Sequence, residues 1–247
     1  MILLFGGTTE GKQVAELLDA LSLDYIYSTK SKIPFSGGPN SRYRYGAMNR
    51  EKLSLFCQEN KITTIINAAH PFASLLHSTV SQLVSMESIK AIRYERAQLE
   101  RTTHPNVIYL DGLIEVLHYQ EQHSNPKMLN LSGVKSLVSL EPYWRNHPLP
   151  TRISASGESV NFARQLGFPH EQLIIGVSDD EELLQELIDR YAIEIILTKE
   201  SGTNGFLQKK IKLALKKDIR ILILKKPLLP EGFLTVSNAA DLKRLIV

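Results

Sequence analysis

Cysteine is nearly absent from this chain. Its 247 residues hold one, Cys57, which excludes an intramolecular disulfide and a cysteine-built metal site. Its setting, Leu53-Ser-Leu-Phe-Cys57, reads as a buried or half-buried helix position. Long apolar runs are missing too. No stretch approaches the ~18 uncharged apolar residues of a spanning helix, and the first run, 2–5, stops at Gly6-Gly7, too short for a signal peptide. The expectation is a cytoplasmic protein that contacts no membrane, a monomer or a weak homo-oligomer. Charge of one sign is lacking: 29 Lys and Arg stand against 26 Asp and Glu, for a net charge of +3. No basic cluster interleaves with aromatics, so no nucleic-acid partner is expected. There is no low-complexity segment and no visible sequence repeat. None of the nine tyrosines has a lysine four residues on, so the Tyr-x-x-x-Lys pair of short-chain dehydrogenases and epimerases is missing.

The most informative string is Gly6-Gly-Thr-Thr-Glu-Gly11, set between the apolar run 2–5 and a helical pattern carrying Val14, Ala15, Leu17 and Leu18. Strand, tight turn and helix form the opening unit of a nucleotide-binding βαβ fold. The turn aims backbone N–H groups and the positive end of a helix at one point, which suits a pyrophosphate. Against Gly-x-Gly-x-x-Gly, Gly6 and Gly11 fill the first and third glycine places. Thr8 takes the second, with a hydroxyl able to bond a phosphate oxygen. Gly7, Thr9 and Glu10 complete the expected cofactor loop. The alternative is a plain turn in which Gly6 and Gly7 only permit unusual dihedrals.

Apolar, β-rich runs alternate with helical patterns along the whole chain. Strands are expected over 2–5, 25–29, 63–67, 90–94, 107–110, 127–131, 152–155, 173–175, 194–197 and 220–224, and helices over 50–60, 72–86, 113–122, 159–166, 179–191 and 206–217. That rhythm predicts an α/β fold of two Rossmann-like lobes with parallel sheets, covered on both faces, and a cleft between them. The polar string Gln120-Glu-Gln-His-Ser-Asn-Pro126 is the expected boundary. It divides a nucleotide lobe, 1–123, from a substrate-side lobe, 124–247.

Ligands of such folds bind beyond the carboxyl ends of strands, so the loops that follow strands carry the site. After the second strand come Ser28, Thr29 and Lys30, with Lys32 nearby and no acid to select a free ribose 2′-hydroxyl. Hydroxyls and cations there favour NADPH, with NADH possible. After 63–67 come Ala68, Ala69, His70 and Pro71; Pro71 suits a first helical turn, and Ala69, His70 and Pro71 join the cofactor set. A lone histidine is more often structural, but His70 lies beside the predicted cofactor loop. Arg93-Tyr-Glu-Arg96 could grip carboxylates through arginine forks, or pin its own loop through an Arg–Glu pair. Ser132-Gly133 offers a second small anion-accepting turn. Lys199, Ser201, Gly202 and Thr203 form a polar, glycine-bearing loop in the second half.

Taken together, these strings resemble the precorrin-6A reductases of cobalamin biosynthesis, including the cobalt-precorrin-6A form. The matching strings are Gly6-Gly-Thr-Thr-Glu-Gly11, Ala69-His-Pro-Phe-Ala73, Arg93-Tyr-Glu-Arg96 and Thr198-Lys-Glu-Ser-Gly202, continued by Gly205, Lys209 and Lys226-Pro227. They occur in family order over nearly the full length. Four departures stand out. Asn67-Ala-Ala-His70 replaces Asp-Ala-Thr-His, Ala97 replaces a proline, Gly176-Val-Ser178 replaces Gly-Pro-Phe, and Lys226-Pro227 replaces Arg-Pro. The resemblance implies that a nicotinamide hydride reduces one macrocycle double bond, hydride going to C19 and a proton to C18. It also implies a polycarboxylate tetrapyrrole substrate and no metal or flavin of the protein's own, any cobalt belonging to the substrate. Arg42, Arg44, Arg93, Arg96 and Lys199 would rim the site. Arg93, Tyr94, Glu95, Arg96, Ser132, Gly133, Lys199, Ser201 and Gly202 would face the substrate. His70 and Lys199 are the candidates for catalytic proton handling. Two readings compete: a redox sensor that binds NADP(H) without turnover, and a sugar-nucleotide transferase of two Rossmann-like lobes.

Overall fold

A computed structural model describes residues 1–95, 100–176, 181–200 and 206–247. The chain divides into two compact units, one of residues 1–98 and 227–247, the other of residues 99–226.

In the first unit, β1 (Ile2–Phe5), β2 (Tyr25–Thr29), β3 (Ser41–Tyr45), β4 (Thr64–Asn67), β5 (Lys90–Tyr94) and, from the far end of the chain, β12 (Phe233–Val236) form one sheet in the order β12-β5-β4-β1-β2-β3. Every pairing is parallel. Successive strand residues point to opposite faces, and both faces are covered. Ile2, Leu4, Tyr25, Tyr27, Ile66 and Ile92 pack with Val14 and Leu18 of α1 (Thr9–Ala20) and Leu242 of α10 (Ala239–Ile246). Leu3, Phe5, Ile26 and Ile65 pack with Leu53 and Cys57 of α2 (Arg50–Glu59) and Val80 and Leu83 of α3 (Ser74–Val84). This two-sided burial is why the strands read as unbroken apolar runs.

The second unit holds β6 (Val107–Leu110), β7 (Met128–Asn130), β8 (Thr151–Ile153), β9 (Leu173–Ile175), β10 (Ile195–Lys199) and β11 (Arg220–Leu224), all parallel, in the order β6-β11-β10-β7-β8-β9. Its helices are α4 (Leu113–Gln122), the single turns α5 (Ser136–Ser139) and α6 (Glu141–Trp144), α7 (Gly157–Gln165), α8 (Glu181–Arg190) and α9 (Leu207–Lys216). Leu184, Leu187 and Ile188 of α8 and Ile211 and Ala214 of α9 cover one face through Leu129, Ile196 and Ile221.

The two sheets have the same plan. Listed from one edge, they run β3-β2-β1-β4-β5-β12 and β9-β8-β7-β10-β11-β6. In each, five consecutive strands follow the doubly wound order; the sixth comes from the far end of the chain in the first unit, and directly precedes the five in the second. The switch points are therefore β1/β4 in the first unit and β7/β10 in the second.

The expected boundary at 123/124 moves. β6 pairs with β11, Val107 opposite Ile221, so β6, α4 and β7 are a crossover within one sheet. Ser124 and Asn125, both at positive φ (61° and 54°), turn the chain between α4 and β7. The passages between the units lie near residue 98 and residue 226, and inside the second unit both are tied to Glu200. Its carboxylate accepts two bonds from Arg101 (2.8 and 3.1 Å) and one from the Lys226 N–H (3.0 Å).

Candidate active site

The glycine loop is shaped by close approach. A Cβ on Gly6 would lie 2.3 Å from Tyr27 Cζ, and one on Gly11 would lie 2.7 Å from Gly6 Cα. Gly7 sits at φ 89°. The Tyr27 hydroxyl accepts from the Gly7 N–H (2.9 Å), and burial raises the pKa of that phenol. Thr8 caps α1. Its hydroxyl accepts from Gly11 N–H (3.0 Å) and donates to the Ala68 carbonyl (2.6 Å). The hydroxyl expected to reach a phosphate thus spends its one hydrogen joining the β1 and β4 loops. What the loop leaves open is backbone: among the described residues, the Thr8 and Thr9 N–H groups have no hydrogen-bond partner. They stand at the N-terminus of a 12-residue helix at the β1/β4 switch point. Unsatisfied N–H groups and a helix dipole at one spot make an anion site.

The β4 loop is organised from below. Asn67 is fully buried. Its Oδ1 accepts from Ala69 N–H (3.2 Å) and from Arg93 Nη1 (3.3 Å), which leaves Nδ2 facing His77 Nδ1 at 2.9 Å. His77 Nε2 lies 3.2 Å from the Pro71 carbonyl. A carbonyl only accepts, so Nε2 carries the hydrogen, and Nδ1 is the lone pair that accepts from Asn67. The network specifies a neutral imidazole. Burial first, and the charge of Arg93 second, hold the His77 pKa below its ordinary value. Sequence reasoning missed His77; its one signal was a polar residue among Leu76, Val80 and Leu83 on the apolar side of α3.

Arg93 was expected to grip substrate and does not reach the surface. It is 1% exposed. Nη1 donates to the carbonyls of Asn67 (3.1 Å) and Ala69 (2.7 Å), and Nε donates to Glu95 (3.1 Å). Burial lowers the Arg93 pKa, while Glu95 and Glu10 oppose that shift. Arg93 and Glu95 therefore follow the alternative reading, an ion pair that pins the loop. Tyr94 is likewise buried, in the α1 side of the core. Pro71 is not in the first helical turn, since α3 begins at Ser74. Residues 70–73 form a turn closed by Ala73 N–H to the His70 carbonyl (2.8 Å). His70 itself is exposed, and its Nδ1 accepts from Phe72 N–H (3.2 Å).

At the end of β2, Ser28 and Thr29 are buried and Lys30 is exposed. The Thr29 hydroxyl is bonded to the Ser31 carbonyl (2.8 Å) and the Tyr43 hydroxyl (2.9 Å). Arg44, from β3, reaches Ser28 Oγ at 2.7 Å. Arg42 belongs elsewhere: its guanidinium meets the Met1 sulfur (2.8 Å), at the amino end of the sheet.

In the second unit, Ser132 is buried, and both its N–H and its hydroxyl donate to Asn130 Oδ1 (3.0 and 2.6 Å). Gly133 turns at φ 91°. Lys199 ends β10, half-buried, its pKa lowered by burial and by the charge of Lys135. Behind it Lys210 is buried, with Nζ 3.4 Å from Thr198 Oγ1. Burial and the charge of Arg152 push it down to about 8. Arg96, Ala97, Val177, Ser178, Ser201, Gly202, Thr203 and Gly205 lie outside the described residues.

Among the described residues, no group of three or more His, Cys, Asp or Glu could hold a metal, and no helix is long and apolar enough to cross a membrane. The cradle fits a dinucleotide. The Thr8 and Thr9 N–H groups are open at the N-terminus of α1, and no acid follows β2.

The family model described as precorrin-6x reductase CbiJ/CobK matches residues 1–246. The cobalt-precorrin-6A reductase of Methanocaldococcus jannaschii is 24% identical over 231 residues, covering 92% of this chain and 90% of that protein. The cobalt-precorrin-6A reductase of Salmonella typhimurium is 22% identical over 250 residues, covering 99% and 95%. The precorrin-6A reductase of Mycobacterium tuberculosis is 22% identical, covering 96% and 93%. A solved CobK precorrin-6A reductase shares the fold, with a TM-score of 0.78, 16% identity, and coverage of 99% of this chain and 95% of that one. An α/β chain with a dinucleotide-shaped switch point, matched by one family model over nearly its whole length, belongs to the precorrin-6x reductase family, oxidoreductases of cobalamin biosynthesis that work with a nicotinamide cofactor.

Proposed function

We propose that this chain uses NADPH to reduce one ring double bond of precorrin-6A or cobalt-precorrin-6A, giving the 6B form. The observation that carries the cofactor half is the pair of open N–H groups on Thr8 and Thr9, at the N-terminus of α1 and at the β1/β4 switch point. The pyrophosphate would rest there, within residues 6–11, where the charge of Arg93 attracts the Glu10 carboxylate. Ser28, Thr29 and Lys30 would take the adenosine ribose end. Ala69, His70 and Pro71, fixed from below by Asn67, His77 and Arg93, would line the nicotinamide side.

The nicotinamide supplies a hydride, and the protein has to orient the two reactants, exclude water and provide one proton. His70 is the exposed side chain on the ordered β4 loop and can hold that proton. Lys199 is the second candidate, since its lowered pKa favours release of a proton. Substrate carboxylates would be received in the second unit by Lys199, by the turn at Ser132-Gly133 and by Ser201 and Gly202. Glu95 is a loop anchor in this scheme, not a substrate contact.

The test is an anaerobic incubation of the protein with NADPH and precorrin-6A, with and without cobalt, followed by product mass. A gain of two hydrogens matched by NADPH oxidation is expected. Tight nucleotide binding with no reduction of either form would favour the sensor reading instead.

A further inference from the structure

The buried Arg93 is paired with Glu95, and the exposed Arg101 with Glu200. Arg44, half-buried on β3, makes no ion pair among the described residues. Three of its donors are used: Nη1 on Ser28 Oγ (2.7 Å), and Nη2 on the carbonyls of Tyr45 (3.0 Å) and Gly46 (2.7 Å). A guanidinium has five N–H donors, so two remain. The group is also fixed in place. It lies over the Phe56 ring, 5.4 Å from the centroid, and Gly46 curls around it at φ 107°, its N–H shared between the Thr29 and Lys30 carbonyls (3.0 and 3.1 Å). Burial without a counter-charge costs free energy, and that cost shows as a lowered pKa.

Its position is informative. Ser28 is opposite Phe5 in the β1–β2 register, and its carbonyl accepts from the Gly6 N–H (3.0 Å). Ser28 is also opposite Arg44 in the β2–β3 register. The glycine loop, Ser28 and Arg44 thus sit side by side across the carboxyl ends of three neighbouring strands, about 10 Å from first to last. In a dinucleotide fold, the end of the second strand meets the ribose 2′ position; an acid there selects a hydroxyl, and an arginine accommodates a phosphate.

We infer that Arg44, anchored by Ser28, reads the 2′-phosphate of the cofactor and makes this chain prefer NADPH to NADH. The inference rests on the nucleotide reading above and adds the specificity residue. A guanidinium held in place, with its Nε–H and one Nη1–H still open, can meet phosphate oxygens at a set position, whereas the exposed Lys30 offers a single mobile charge. Arg44 is thus the reader and Lys30 an accessory.

Calorimetric titration with 2′,5′-ADP and with ADP tests this without turnover. Wild type should prefer 2′,5′-ADP by tenfold or more. Arg44→Met should lose about 10- to 100-fold in 2′,5′-ADP affinity, the range for hydrogen bonds to a charged group, with ADP affinity changed by less than about threefold. Lys30→Met should lose less than about fivefold. Ser28→Ala, which keeps the guanidinium but removes its anchor, should lose a few-fold on 2′,5′-ADP alone. It also covers the case in which Arg44→Met does not fold. A preference that survives Arg44→Met and disappears in Lys30→Met would overturn the inference, as would equal affinity of wild type for both ligands. Both results would leave nucleotide binding standing. Wild type that binds neither ligand would instead sink the nucleotide reading, and this inference with it.

Discussion

Asn67→Asp puts a carboxylate where the family usually has one and where this chain has an amide. The geometry predicts a change of charge state at its hydrogen-bond partner, His77. In the wild type, Asn67 Nδ2 donates to His77 Nδ1 at 2.9 Å, and the imidazole is neutral. The new carboxylate would keep the bonds from Ala69 and Arg93 but present a second oxygen, not a donor, to that lone pair. Two acceptors repel, so the imidazole should take up a proton. Opposite charges ~4 Å apart at an effective dielectric of ~20 gain about 4 kcal/mol, close to a thousandfold in the protonation constant. If half of that is offset by burying the carboxylate, about thirtyfold remains. The sign of the pH dependence then reverses. In the wild type the folded-state pKa of His77 lies below its ordinary 6.5, so the unfolded chain binds the proton more readily and stability falls as pH drops below that value. In the variant the folded-state pKa is raised; once it lies above 6.5, His77 adds stability at low pH that is lost as pH rises through the raised pKa. Nitrogen-15 NMR of the His77 ring, titrated in both proteins, reads the state directly. A ring in the variant that stays neutral and keeps its Nε2–H tautomer at pH 7 would refute the network as drawn.

Three further predictions follow from other contacts. Gly6→Ala forces a Cβ against the Tyr27 ring, 2.3 Å from Cζ. It should cost about 1–3 kcal/mol and weaken nucleotide binding, and an unshifted melting temperature would show that the ring can swing aside. Glu200→Gln deprives Arg101 of its bidentate carboxylate. Because the Arg101 side chain is 43% exposed, solvent screens the pair, and denaturant titration should show a loss of only about 1–2 kcal/mol; an unchanged midpoint would show that the fork contributes nothing. Lys210, pushed down to about 8 from an ordinary 10.5, is a cation the fold resists. Between those values the unfolded chain holds the proton more tightly, so stability should rise with pH, by at most about 3 kcal/mol. Lys210→Met should remove that rise, and an identical slope in wild type and variant would show that Lys210 is not its source.

Much of this was legible because it is local. The glycine loop declares itself, since Gly6, Gly7 and Gly11 answer to dihedral and contact demands set within a few residues and by Tyr27 beneath. The apolar runs of β1, β2, β4, β5, β10 and β11 show themselves because both faces are buried. β3 was missed because it is an edge strand, and Ser41-Arg-Tyr-Arg-Tyr45 carries too many charges to look like one. β12 follows the proline-bracketed stretch 227–230 and sits at the opposite edge. The misplaced boundary has a similar cause: nothing near residue 107 announces a pairing with residue 221. The supporting side chains were the hardest to read. Asn67 meets His77 only after α3 folds back on β4, and Ser28 meets Arg44 only through strand register. Arg93 was misread because a charge at a strand end suggests solvent, whereas here its donors satisfy the carbonyls of a turning loop.

The repeated strand order sharpens the contrast between the two switch points. Both loops turn at a glycine with positive φ, Gly7 in one and Gly133 in the other. After Gly7 the chain enters α1, 12 residues long, with Thr8 and Thr9 N–H groups open. After Gly133 it enters α5, four residues long, and the hydrogens of Ser132 are spent on Asn130. A single turn aligns too few peptide dipoles to hold an anion, so charge attraction at the loop after β7 has to come from side chains. Lysines stand there: Lys135 just before α5 and Lys199 at the end of β10, near enough for one to depress the pKa of the other. A backbone cradle suits a compact diphosphate of fixed shape, and flexible ammonium groups suit carboxylates spread around a ring. On that ground the proposed reaction would seat the dinucleotide on the first unit and receive the tetrapyrrole carboxylates on the second. Lys199→Met should accordingly raise the KM for the macrocycle and leave the dissociation constant for NADPH alone; a selective loss of NADPH affinity would reverse the assignment.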